Sequence, residues 1–86
     1  HETEKTCRFP FGTLHASYTA KGGEIESLRL FGDYFGQRPV SELENVLIGT
    51  PLRADALTAA LATLPAPVDE YVHGASAEDI SRLILQ

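Results

Sequence analysis

Cysteine is almost missing from this chain. Cys7 is the only one in 86 residues, which excludes an internal disulfide and fits a reducing compartment. Cations are scarce as well: seven Lys and Arg stand against twelve Asp and Glu, for a net charge of −5. Nucleic-acid binding needs a basic face that displaces counterions from phosphates, and no such cluster is present. No apolar run is long enough to cross a bilayer, and no signal-peptide pattern opens the chain. These readings lead to the expectation of a cytoplasmic chain with neither a nucleic-acid nor a membrane partner. Repeats and low-complexity segments are missing too. So are the phosphate-cradling patterns GxGxxG and GxxxxGK followed by Ser or Thr.

What is present is ordinary globular material. Hydrophobic residues make up 43% and charged residues 22%, so there is enough apolar surface to exclude disorder. A chain of this length forms one domain and buries about 60–65% of the surface its unfolded form exposes. Residues 1–4 are expected to be a disordered or tag-derived tail.

The first third reads as sheet. Phe9 and Phe11 alternate around Pro10, which cannot donate to a ladder, so this strand lies at an edge or ends near Pro10. From Thr13 to Ala20 the period is two: Leu14, Ala16, Tyr18 and Ala20 share one face, and Thr13, His15, Ser17 and Thr19 take the other. Lys21-Gly22-Gly23-Glu24 reads as a hairpin turn. The return strand, Ile25 to Phe31, aims Leu28 and Leu30 inward. Ile25 falls out of phase with them, which places a bulge near Glu26-Ser27.

The rest reads as helix. Ser41 and Glu44 fit a capping box, Leu43, Val46 and Leu47 form an apolar stripe, and Gly49 with Pro51 ends the helix. A second helix is expected from Arg53 to about Thr63, with Leu57, Ala60, Leu61 and Leu64 on one side. Pro65 to Pro67 is a short stiff connector. A third helix begins at Ser76, with Asp79 three residues on and Ile80, Leu83 and Ile84 inside. Strands followed by helices imply a two-layer α+β domain: about three antiparallel strands with about three helices on one face.

Reactive chemistry is hard to find. Cys7, His15 and His73 are the only Cys or His residues besides His1, and none sits at metal-ligand spacing. Cys7 and His15 could approach each other across neighbouring strands, but a nucleophilic thiol also needs an orienting third group. The acidic residues Glu42, Glu44, Asp55, Asp69, Glu70, Glu78 and Asp79 mark helix first turns and wet faces. The least routine segment is Gly32-Asp33-Tyr34-Phe35-Gly36. One reading gives Asp33 an Asx turn, with Tyr34 or Phe35 closing the core. The other makes the corner a contact surface for a partner, with Lys21 facing a ligand held there.

The run KGGEIESLRLFGDYFGQRPVSELENVLIG, from Lys21 to Gly49, resembles the C-terminal accessory domain of bacterial lipoate–protein ligases. Its landmarks are the Lys21-Gly22-Gly23 turn, the Leu28-x-Leu30-Phe31-Gly32-Asp33 strand end and the Leu47-Ile48-Gly49 closure. Phe9 and Phe11, the Arg53-Ala54-Asp55 start and the Ser76 to Leu85 helix extend the resemblance from about Lys5 to Leu85. Such ligases activate lipoate with ATP and Mg²⁺ to lipoyl-AMP, then transfer it to a lysine of a lipoyl-carrier protein. The resemblance implies a domain that packs on the ligase catalytic domain, in the same or a separate chain, supports adenylate formation and shifts orientation afterwards. The Arg-Arg-x-x-Gly-Gly-Gly region and the essential lysine of the catalytic domain have no counterpart here. No catalytic residue is therefore carried over; this chain alone is expected to hold no cofactor or metal and to be inactive. The implied partner contact is the corner Gly32, Asp33, Tyr34, Phe35 and Gly36, together with Lys21. The alternative is a free-standing protein-interaction module of the same fold with no role in ligation.

Overall fold

The computed structural model describes all residues from His1 to Gln86. Three antiparallel strands come first: β1 (Thr3–Phe9), β2 (Gly12–Lys21) and β3 (Glu24–Gly32), in the order β1-β2-β3. Three helices follow, α1 (Val40–Leu47), α2 (Ala54–Leu61) and α3 (Ala77–Leu85), with a single 3₁₀ turn at Val68–Glu70. This is the expected α+β arrangement. The expected tail is shorter than four residues, because Thr3 and Glu4 already pair with Tyr18 and Ser17. Alternating side chains with a ready ladder partner make strand of residues whose composition alone suggested a tail.

The strand β1 ends at Phe9, before Pro10, as the missing proline donor requires. Between β2 and β3 the turn is Gly22-Gly23, with φ of 61° and 79°. Positive φ at both central residues matches the right-handed twist of the flanking strands, and glycine adopts it without a Cβ clash. Thr19 pairs with Ser27 but Ala20 with Ile25, so Glu26 is the extra residue of a bulge. That bulge turns Ile25 inward, where it is buried with Leu30.

Leu14, Ala16, Tyr18, Ile25 and Leu30 form the inner sheet face. The helices α1 and α3 lie against it, α1 on β3 and α3 on β1 and β2, while α2 packs on the two of them. Leu43, Leu47, Leu57, Leu61, Ile80, Leu83 and Ile84 complete the core from the helix side. Tyr71 and Val72, just after the 3₁₀ turn, are also buried, a contribution that the Pro65 to Pro67 connector did not suggest. At its far end β3 is tied to the α1–α2 connection: Ile25 N–H donates to the Thr50 carbonyl at 3.0 Å and Gly49 N–H to that of Ile25 at 2.7 Å.

Two of the helix starts differ in kind. At α3 the capping box is complete: Ser76 Oγ accepts from Asp79 N–H, and Asp79 Oδ2 accepts from Ser76 N–H. At α1 the expected Ser41–Glu44 box does not form. Pro39 takes the N-cap position in an extended conformation, which starts the helix one residue before Ser41. The Glu44 carboxylate turns instead to the sheet edge, where Oε2 accepts from Leu30 N–H at 2.7 Å.

Candidate functional site

The five-residue corner after β3 is fixed almost entirely by backbone. Asp33 N–H donates to the Thr13 carbonyl at 2.9 Å, which carries the ladder one step past Gly32. His73 N–H donates to the Phe35 carbonyl at 2.9 Å, and Gln37 and Arg38 N–H both donate to that of Glu70. Gly36 is required by this closeness, since a Cβ there would stand 2.0 Å from the Tyr71 carbonyl oxygen. The chain thus closes onto the turn before α3 with no space for a side chain at that point.

The corner's side chains divide between inside and outside. Tyr34 is half-buried and packs against the core. Burial, followed by the nearby Glu44 charge, raises its pKa above the ordinary tyrosine value. Phe35 is 66% exposed and stacks on His73 with ring centroids 4.9 Å apart. His73 Nδ1 lies 3.7 Å from Asp69 Oδ1, an oxygen that also accepts from Gly74 N–H at 2.7 Å. Asp33 is exposed and its carboxylate makes no hydrogen bond within the chain, so the expected Asx turn is replaced by the backbone bond to Thr13. Beneath the corner, Tyr71 Oη donates to Glu42 Oε1 at 3.2 Å. Desolvation, and then that bond, push the Tyr71 pKa up.

Lys21 does not join this group. It pairs with Glu24 at the hairpin turn, whereas Gly32 pairs with Leu14 at the other end of β2. Seven residue steps along a strand put them roughly 24 Å apart. Cys7 and His15 are also kept apart. Cys7 faces the helices beside Leu14, and His15 sits with Thr6 on the open face of the sheet. No three Cys, His, Asp or Glu side chains converge on a point where a metal ion could bind.

A second aromatic group, on the open sheet face, was not anticipated from sequence. His15 stacks on Phe31 with centroids 5.0 Å apart, and the Arg29 guanidinium lies 4.9 Å from the Phe31 ring centre. The one sequence signal for it was the period of two that placed His15 on the polar face of β2. Three depressions adjoin the helices, one of them, about 540 Å³, between α2 and α3 beside Asp55, Thr58, Ser81 and Arg82. A second, of about 700 Å³, lies between the end of α2, Pro65 to Val68 and the start of α3; of its polar lining, Ser76 caps α3, Asp69 accepts from Gly74 N–H and Thr58 Oγ1 donates to the Ala54 carbonyl. The third, about 480 Å³, runs between Phe31 and the corner.

Comparison with known proteins follows the same boundaries. The family model described as bacterial lipoate protein ligase C-terminus matches residues 1–84. The chain belongs to this family. A lipoate–protein ligase of Streptococcus pyogenes is 36% identical over 77 residues, covering 90% of this chain and 22% of that protein. Lipoate-protein ligase LplJ of Bacillus subtilis is 45% identical over 42 residues, 49% of this chain and 13% of that protein. The chain therefore spans about a fifth or less of the length of these ligases. As a lipoate ligase C-terminus it contains the pinned corner and the His15–Phe31 and Phe35–His73 stacks, and none of its helices is long and apolar enough to cross a membrane.

Proposed function

We propose that this chain is the accessory domain, or a separate accessory subunit, of a lipoate–protein ligase. It packs on the catalytic domain and supports the ATP- and Mg²⁺-dependent activation of lipoate to lipoyl-AMP, ahead of transfer to a carrier-protein lysine. The observation that carries this reading is the family match across residues 1–84. The build of the corner supports it: Phe35 is presented to solvent from a backbone too tightly held to yield on contact. A cover of this kind acts by excluding water and fixing charges around the reacting phosphate, without a nucleophile or base of its own. The reactive groups then belong to the catalytic domain, and the setting is cytoplasmic.

The test is lipoyl-AMP formation from lipoate, ATP and Mg²⁺ by the cognate catalytic domain, followed by mass spectrometry with and without this chain. The expected result is a rate that rises when the chain is added and no product from the chain alone. Adenylate made by the 86 residues unaided would overturn the proposal. An unchanged rate would move the assignment to a free-standing interaction module.

A further inference from the structure

The open sheet face holds a row of side chains that fix one another. Thr6 Oγ1 lies 2.9 Å from His15 Nδ1, His15 stacks on Phe31 at an 18° interplanar angle, and Arg29 rests on the same ring. The result is a guanidinium held in place on a surface that the helices leave uncovered. Of the five arginines, Arg38, Arg53 and Arg82 each have a carboxylate within ion-pair distance, whereas Arg8 and Arg29 have none, and of these two only Arg29 is held against an aromatic ring. In a chain with twelve acidic residues and a net charge of −5, an ordered cation without an acid of its own is a local reversal of sign.

A second feature adjoins it. Phe31 and Phe35 flank the depression of about 480 Å³, whose floor includes Tyr34 and Val40. Phe35 is kept in place by His73 and Phe31 by His15 and Arg29. Side chains already ordered lose little entropy on association, and aromatics and arginines of this kind carry most of the energy of an interface. The depression is shallow and open, and its apolar contact comes from the two exposed rings at its rim, Phe31 and Phe35. The free guanidinium presents a fork that matches a carboxylate bidentately.

We propose that the surface from Arg29 to Phe35 seats the catalytic domain through an apolar side chain lodged between Phe31 and Phe35 and a carboxylate paired with Arg29. This rests on the accessory-domain reading and adds the surface and its chemistry. The contact extends the corner onto the open sheet face and leaves the hairpin tip at Lys21 free.

The test is calorimetric titration of the cognate catalytic domain with this chain and its variants at two salt concentrations. Arg29 and Phe35 lie outside the core, and urea midpoints verify that each variant is folded. Arg29→Glu and Phe35→Ala are each expected to weaken binding roughly tenfold or more, and Arg29→Glu also to remove most of the salt dependence. Arg53→Glu, the same charge change at the start of α2, should leave affinity within about twofold. Wild-type binding with both Arg29→Glu and Phe35→Ala within twofold would overturn this surface and leave the accessory reading intact. A loss confined to Phe35→Ala would overturn the carboxylate pairing. Self-association of the chain that Arg29→Glu abolishes would assign the surface to a second copy, against the proposal. No binding by the wild-type chain would overturn both.

Discussion

Glu44 satisfies an amide that the sheet itself leaves without a partner. The strand β3 is an edge, and the Leu30 N–H that meets Glu44 Oε2 would otherwise point at a helix with nothing to accept its proton. A charge-assisted bond of this kind is worth about 1.5–3 kcal/mol. Glu44→Ala is therefore expected to cost about that much in urea denaturation, and a loss below about 0.5 kcal/mol would contradict the role. Tyr71 and Tyr34 carry a pH dependence on the alkaline side. Burial raises both pKa values, with added help from Glu42 for Tyr71 and Glu44 for Tyr34. Below about pH 10, the ordinary tyrosine value, folded and unfolded chains hold the same phenolic protons. Above it the unfolded chain ionises first, so stability falls as pH rises through the raised values. Denaturation midpoints between about pH 9 and 11 should show this decline, less steeply in Tyr71→Phe.

At the scale of elements, the two helix starts separate what local pattern decides from what tertiary structure decides. The Ser76 box is complete, so Ser76→Ala should cost about 1 kcal/mol, while Ser41→Ala should cost less than about 0.5 kcal/mol. Equal losses measured by thermal unfolding would contradict that difference. Both starts carry a Ser with an acid three residues on, so the sequence alone does not tell them apart. The difference comes from Pro39, which moves the helix start, and from the Leu30 amide, which claims Glu44. The hairpin, its bulge and the apolar stripes were legible because each is set by neighbours in sequence. Burial of Tyr71 and Val72 was not, since it depends on the chain returning beneath the corner at Gly36. The candidate site was legible only in part. The glycines and aromatics marked the corner, but the stacking of His15, Phe31 and Arg29 arises from pairing across β2 and β3.

For the molecule as a whole, the sheet gives one face to the helices and leaves the other to solvent, and the two ends of β3 have different duties. One end continues into the aromatic corner. The other is gripped by the α1–α2 connection, where Ile25, Gly49, Thr50, Gly23 and Leu52 exchange three backbone bonds of 2.7–3.0 Å. The outermost turn of a hairpin is ordinarily the first part of a fold to fray. Here it cannot lift away unless the linker between two helices lets go at the same moment. Slow deuterium uptake at the Ile25 and Leu52 amides, close to the rate set by complete unfolding, is the expected trace of that bond set in NMR spectra. Rapid uptake at both would mean that the tip opens independently. Since the grip is made of main-chain atoms, its strength should change little when the side chains around it vary, which leaves the opposite end free to be reshaped to suit a partner.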